Sequence, residues 1–374
     1  MTQTRPKPTA HTKASQTIYP RILGMGTANP PYRVGQPEVR ELVRAMFDRL
    51  TGLERLIGVF ENTGIESRYL SAPLEWFTQE HSFAEKNTLW AETALSLSEA
   101  ASRRALEQAG VGPEEIGAVV FVSTTGIATP SLEAHLVQHL GIPLSAIRLP
   151  IWGLGCAGGA AGLARAAELA ATRPEGYVLM VAVELCSLTF VRNDISKSNL
   201  VATSLFGDGA AAVVLGVEPP GSGLGAGGAT PQVVGGFSRL LPQSYEVMGW
   251  DVTPDGLQVR FAQSIPSLVR GELGNLIRDG LASYGLTAAE VGSWALHPGG
   301  AKVLSAYREA MGVDDQSFET SWCVLKKFGN MSSPTALFIL ERLMSPLEPI
   351  PSGTPGVLLA LGPGFAAEGV VLQW

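Results

Sequence analysis

Three short strings place a reactive or polar side chain beside glycine or at an element boundary. In "IWGLGCAGGAAG" (151–162) one thiol, Cys156, stands among glycines and alanines. The alanine-rich run that follows, about 157–171, is strongly helix-forming, so Cys156 falls at or just before a helix N-terminus. Free N–H groups and the positive dipole end there favour a thiolate, which predicts a lowered thiol pKa. The flanking glycines would let backbone pass close to the sulfur and to an acyl group carried on it. In "WALHPGG" His297 ends an apolar run before Pro298-Gly299-Gly300 turns the chain away. Strand ends of that kind meet ligands in α/β architectures. In "FGNMSSPTALFIL" Asn330 follows a glycine and precedes a helical pattern. Each residue also has a plain structural reading: a packing cysteine, a core histidine, an N-cap. Together they make a workable set for thiol acyl transfer, with a nucleophile, a base that becomes a cation and a neutral hydrogen-bond donor.

Elements able to position such a set alternate along the chain. "RILGMGTANP" reads as a strand into a loop, 37–58 carries helical spacing, and about 91–110 reads as a helix closed by Gly110. "IGAVVFVSTTG" and "YVLMVAVEL" are apolar enough for strands covered on both faces, with a helix at "SLEAHLVQHLG" between them. The Gly/Pro/Ser-rich stretch 219–232 marks a linker. Beyond it come a strand "VVGGFSRLL", a helix from about Pro266 to Tyr284, a strand ending at His297, helices near 300–312 and at "PTALFILERLM", and paired strands "GVLLALG" and "GVVLQW". The pattern predicts a layered α/β protein of two related halves, 19–225 and 226–374, preceded by a loose arm, 1–18.

Composition narrows the partners. The 374 residues are 45% hydrophobic and carry a formal net charge of −7, which argues against nucleic acid as the main partner. Three cysteines, Cys156, Cys186 and Cys323, fit neither a disulfide framework nor a zinc site, so a reducing, cytoplasmic setting is expected. No apolar run reaches the length of a membrane span, and the basic N-terminus lacks the apolar core of a secretory signal. "GMGTANP" lacks the third glycine of a dinucleotide fingerprint, and Gly207-Asp208-Gly209 lacks the lysine of a P-loop. Asp208 reads as a structural turn carboxylate.

In this order and at these intervals, the three strings resemble the thiolase-fold condensing enzymes, and within them the type III polyketide synthases, the chalcone synthase group. "STTG" with Pro130 after it, "ELCSLTF", "LFGDGAAAVVLG" and "LGPGFAAEG" extend the resemblance over about residues 20–374. It implies an αβαβα layered fold and a homodimer. Substrates would be an acyl-CoA and malonyl-CoA, and no metal or organic cofactor would be needed, because decarboxylation itself generates the carbanion. Cys156 would carry the acyl group, while His297 and Asn330 would bind the thioester carbonyl and stabilise the enolate. Phe206 matches the phenylalanine between the CoA tunnel and the cavity. Thr124, Thr129, Cys186, Thr189 and Ser332 match cavity positions, with Thr129, beside Pro130, reaching across a dimer interface. Cys186, where plant members have threonine, makes "ELCSLTF" look like bacterial synthases of alkylresorcinols and alkylpyrones from fatty acyl starters; naphthalene-forming bacterial members can share it.

Two departures stand out. The family's Gly-Phe-Gly-Pro-Gly loop is here Ala360-Leu361-Gly362-Pro363-Gly364, which leaves part of its cavity-shaping role open. The basic cluster for the CoA phosphates is thinned to Arg55, since Gly58 and Asn62 are not basic, with Lys302 as a further candidate. A tetrahydroxynaphthalene-type synthase using malonyl-CoA alone, a single-condensation ketoacyl synthase acting on carrier-protein thioesters, and a silent acyl-CoA binder are the alternatives. Cys186 and Cys323 also fit as buried, unreactive packing residues.

Overall fold

A computed structural model describes residues 19–47, 52–173, 176–217, 230–262, 265–344 and 349–374. The expected arm, 1–18, lies outside them, as does most of the expected linker. Nine of the strands among these residues form a mixed sheet in the order Ser293–Leu296, Pro355–Gly362, Ala366–Gln373, Gln232–Leu240, Arg21–Ala28, Asp208–Gly216, Tyr177–Leu185, Ile116–Val122, Ile147–Ile151; the other four make two small two-stranded sheets. From Arg21–Ala28 outward the pairings run antiparallel, antiparallel, parallel. From Gln232–Leu240 outward on the other side they run the same way. The sheet is therefore two four-strand copies of one pairing order, with Ile147–Ile151 added at one edge, joined at a narrow seam where Arg21 pairs with Gln232.

At that seam the two half-sheets face one another across a pair of buried helices. Helix Gly158–Thr172 packs on strands of both halves and on helix Ser333–Met344, which itself touches both. Alanine and glycine dominate the first helix because ten of its fifteen residues are buried, with only a narrow stripe through Arg165 and Glu168 left to solvent. Helix Phe83–Ala109 covers the outer face of the N-terminal half-sheet, and helices Ile265–Ala282 and Ala301–Met311 flank the C-terminal one. The result is five layers, αβαβα.

Most elements stand where the pattern puts them. Gly110 closes its helix in the left-handed conformation (φ 68°). That helix begins earlier than expected, at Phe83, because Ser82 and Glu85 form a capping box. The expected helical stretch 37–58 is two helices, Gln36–Met46 and Leu53–Ile57.

The glycines around Cys156 do different work from that expected. A Cβ on Gly159 would lie 2.2 Å from the Ser333 carbonyl oxygen, and one on Gly155 would lie 2.8 Å from the Pro363 ring. Their missing side chains make room for the neighbouring protein, so the clearance is for the second central helix rather than for an acyl chain. Gly159→Ala should therefore overpack the helix pair and lower unfolding free energy by about 1–3 kcal/mol in urea melts; an unchanged midpoint and slope would count against the close contact.

Candidate active site

Cys156, His297 and Asn330 each sit where a regular element ends. Cys156 lies in a single 3-10 turn, Gly155–Ala157, immediately before helix Gly158–Thr172. His297 follows strand Ser293–Leu296, its N–H still donating to the Leu359 carbonyl (2.8 Å) as though the strand continued. Asn330 is the second residue of a loop after helix Glu319–Phe328. It is not the helix N-cap: its Oδ1 accepts the Ser332 N–H (2.8 Å), and Ser332 adopts φ 56° before the next helix starts at Ser333. A non-glycine residue held in that region is strained, and such strain concentrates at functional sites.

Hydrogen bonds tie these loops together. The Asn330 side-chain amide donates to the Gly299 carbonyl in the His297 turn (3.3 Å). Asn330 N–H donates to the Leu205 carbonyl (2.8 Å), and Gly207 N–H donates back to the Asn330 carbonyl (3.0 Å), which brackets Phe206. Arg68, fully buried, donates to the Thr203, Ser204 and Phe206 carbonyls and to Gln36 Oε1. It thus satisfies the orphan carbonyls at the end of helix Lys197–Leu205 and fixes the backbone of Phe206. Burial works against its charge, and Asp208 supports it. Asp208 in turn accepts from the backbone N–H groups of Ser71 (2.7 Å) and Ser187 (2.8 Å) and from both hydroxyls. It is the structural carboxylate expected.

Glu184, which sequence reasoning passed over inside "ELCSLTF", is the hub on the other side. Its carboxylate accepts from Thr124 N–H (2.9 Å), Thr125 N–H (3.0 Å), the Thr125 hydroxyl (2.8 Å) and the Ser333 hydroxyl (3.1 Å). Burial pushes its pKa up to about 7, with those donors pulling down. The Thr124 hydroxyl accepts the Gly155 N–H (3.1 Å), so Glu184 is two hydrogen bonds from the nucleophile turn. A lone acidic residue at the end of an apolar strand was the available signal.

The electrostatics overturn one expectation. Burial pushes the Cys156 thiol up to about 11, although hydrogen bonding from Ser332 and Asn330 pulls the other way. The N–H groups expected to face the sulfur are already used: Ala157 donates to the Leu154 carbonyl and Gly158 to that of Gly155. Burial alone holds His297 down to about 3, and both its ring nitrogens lack a hydrogen-bond partner among the described residues. Burial thus favours the neutral thiol and the neutral imidazole over a preformed ion pair, although Cys156 keeps part of its surface exposed. An imidazole buried with two free nitrogens is costly unless something else comes to it.

The other expected positions divide. Phe206, buried against Trp250 (6.0 Å between ring centroids) and Phe261 (6.1 Å), joins Cys186 and Thr189 in the wall of a narrow apolar cleft with about 50 Å³ of free space. Trp250 and Phe261 belong to a hairpin, Met248–Thr253 with Gly256–Phe261, that hydropathy did not reveal. Helix Gln36–Met46, through Val39, Leu42, Val43 and Met46, and the Leu74–Thr78 segment, through Leu74 and Phe77, supply the rest of the cleft. Burial and neighbouring carboxylates push the Cys186 thiol well up. The Gly362-Pro363-Gly364 turn abuts the nucleophile turn, where a Cβ on Gly362 would lie 2.5 Å from that of Ala157. Thr129 and Pro130 are exposed in the single chain. Lys302 is exposed on the first turn after the His297 loop. Arg55 lies on helix Leu53–Ile57 with its side chain outside the described residues. Among the described residues no three His, Cys, Asp or Glu side chains are grouped to hold a metal ion, and no helix is long and apolar enough to cross a membrane.

Comparison with known proteins decides the family. The profile "Chalcone and stilbene synthases, N-terminal domain" matches residues 13–219, and its C-terminal counterpart matches 232–374. The chain belongs to the chalcone and stilbene synthase family. A relative from Bacillus subtilis, "Putative chalcone synthase", is 41% identical over 94% of this chain and 98% of its own length. A 1,3,6,8-tetrahydroxynaphthalene synthase from Streptomyces peucetius is 39% identical over 94% and 93%. The crystal structure of the Streptomyces coelicolor 1,3,6,8-tetrahydroxynaphthalene synthase, a bacterial type III polyketide synthase, superposes with a TM-score of 0.88 at 28% identity, covering 95% of this chain and 99% of that one. This protein is a type III polyketide synthase, an acyl-transferring condensing enzyme, which sets aside the carrier-protein ketoacyl synthase and the silent binder.

For the synthase in its free state, the neutral thiol has a direct consequence. Alkylation of Cys156 by iodoacetamide should be slow at pH 7 and keep rising well beyond pH 9. A rate that levels off below pH 7 would show a preformed thiolate and contradict the burial argument.

Proposed function

We propose that this type III synthase loads a fatty acyl-CoA on Cys156, extends it with malonyl-CoA and cyclises the chain to an alkylpyrone or alkylresorcinol. The apolar cleft beside Phe206 and Cys186 carries this reading. Aliphatic and aromatic side chains line most of it, so methylene groups leaving water there gain about 0.8 kcal/mol each. A starter made only of malonyl units offers no such surface.

The residues divide the reaction as follows. The Cys156 thiol attacks the starter thioester carbonyl and passes its proton to His297. Collapse of the tetrahedral adduct expels CoA thiolate, which takes that proton and leaves as CoA. Malonyl-CoA then places its thioester oxygen against His297 and the Asn330 amide. The bond to the carboxylate breaks, CO2 departs, and the electron pair moves into an enolate that these donors stabilise in a dry site. Enolate carbon attacks the acyl carbonyl on Cys156, the carbon–sulfur bond breaks, and the thiolate takes up one proton from solvent. Neutral resting groups suit this sequence, since charge appears only when substrate arrives to receive it. No metal or organic cofactor enters. The CoA phosphates would be met by Arg55 and Lys302.

A second reading, a tetrahydroxynaphthalene-type synthase using malonyl-CoA alone, is favoured by the name of the Streptomyces peucetius relative. Labelled malonyl-CoA supplied with and without a panel of fatty acyl-CoAs separates the two. Alkylated pyrones or resorcinols are expected only with the acyl-CoA, whereas a naphthalene product from malonyl-CoA alone would displace the fatty-acyl reading. Cys156→Ala should keep releasing CO2 from malonyl-CoA while extension stops; full-length product from that variant would remove Cys156 as the acyl carrier.

The single chain ends its sheet on Ile147–Ile151, an unpaired edge strand flanked by exposed Leu144 and Trp152, near exposed Ile127 and the Thr129-Pro130 loop. A second copy of the chain would cover this face and bring Thr129 to the partner's cavity. Sedimentation equilibrium should give twice the chain mass, and a monomer at micromolar concentration would refute the arrangement. We place the dimer in the cytoplasm, on the sparse free cysteines.

A further inference from the structure

Beyond the apolar cleft lies a second one of about 250 Å³, with charged as well as apolar walls. Its walls include Glu80, His81, Lys86 and Asp255. The two clefts share two side chains, Phe77 and Phe190. Their ring centroids are 6.5 Å apart at 70°, and Phe47 meets Phe190 edge-on from the other side at 6.4 Å.

Phe190 is fixed in place at both ends of its backbone. Its N–H donates to the Ser187 carbonyl (3.2 Å), and its carbonyl accepts from the Lys86 ammonium (2.8 Å). Lys86, mostly buried, also donates to the Asp255 carbonyl (3.1 Å). The residue just before Phe190 is Thr189, whose hydroxyl donates to the Cys186 carbonyl (2.7 Å) on the cavity side. One short segment thus runs from the cavity wall to the boundary between the clefts.

We propose that Phe190, with Phe77, is the partition that sets the longest starter this synthase accepts. The proposal rests on the fatty-acyl reading above. An acyl tail growing along the apolar cleft buries each added methylene until it meets these rings. Further methylenes would have to enter space whose walls include Lys86, Asp255 and Glu80, where they displace hydration from charged groups and gain less apolar contact per carbon. Trimming the ring joins the two clefts behind a still-apolar throat; enlarging it closes the throat sooner.

The test is a chain-length series of saturated acyl-CoAs, from hexanoyl to octadecanoyl, given with malonyl-CoA to wild type, Phe190→Ala and Phe190→Trp. Thermal melts establish that each variant is folded. The expected result is opposite displacement of the cutoff. The ratio of kcat/KM for long to medium starters should rise about tenfold in Phe190→Ala and fall by a similar factor in Phe190→Trp. If either variant fails to fold, Phe77→Leu, which opens the same partition by a smaller step, must lengthen the cutoff. Folded variants that keep the wild-type cutoff would overturn the partition while leaving the fatty-acyl reading intact. A wild type that accepts no fatty acyl-CoA at any length would overturn that reading itself, in a measurement that involves no variant.

Discussion

The approach of the two central helices sets the geometry of everything that follows. Helix Gly158–Thr172 and helix Ser333–Met344 lie together between the half-sheets, close enough that Gly159 has the Ser333 carbonyl where a side chain would be. One helix starts just after Cys156 and the other just after Asn330 and Ser332. Bringing the helix starts into contact therefore brings nucleophile and amide together before any catalytic interaction is made. Glu184 locks that contact by holding Ser333 with one oxygen and Thr124 and Thr125 with the other. The residues that look made for a thioester are, in the first instance, made for helix packing.

That packing also explains the charge state of the site. A cysteine at a helix start is expected to be a thiolate, but the 3-10 turn uses N–H groups internally, and desolvation of the half-buried sulfur opposes the charge. The same burial leaves His297 neutral and unpartnered. Neither group can carry a lone charge cheaply here, so the chemistry has to move one proton between them as substrate carbonyl and leaving group arrive. Phe206 shares this framework, since Asn330 brackets it by backbone hydrogen bonds and Arg68 holds its carbonyl. The aromatic boundary of the apolar cleft and the catalytic amide are thus fixed by one network.

The sequence made the strands and the long helices legible because their periodicity is driven by burial, and it made Cys156, His297 and Asn330 legible because each stands at an element boundary beside glycine. The five-layer order came from resemblance. Its alanine content shows that Gly158–Thr172 is helical, but not that it lies between two half-sheets. The short edge strand Ile147–Ile151 and the hairpin carrying Trp250 and Phe261 were missed, being short or without clear alternation. Helix Lys197–Leu205 is polar on one side and capped by Arg68, far away in sequence. Glu184 was illegible as a hub because its four donors come from two distant segments, Thr124-Thr125 and Ser333. The direction of the thiol shift was misread for the same reason: a local rule about helix ends cannot weigh the desolvation supplied by the rest of the fold.

The central claim is that an acyl chain on Cys156 runs past Phe206 and Cys186 into the apolar cleft under helix Gln36–Met46. A crystal structure of the enzyme acylated by a fatty acyl-CoA in the absence of malonyl-CoA tests it most directly. The account predicts continuous density from the Cys156 sulfur along Cys186 and Thr189, ending against Phe77 and Phe190. Density for the chain on the solvent side of Phe206, with the cleft unentered, would contradict it.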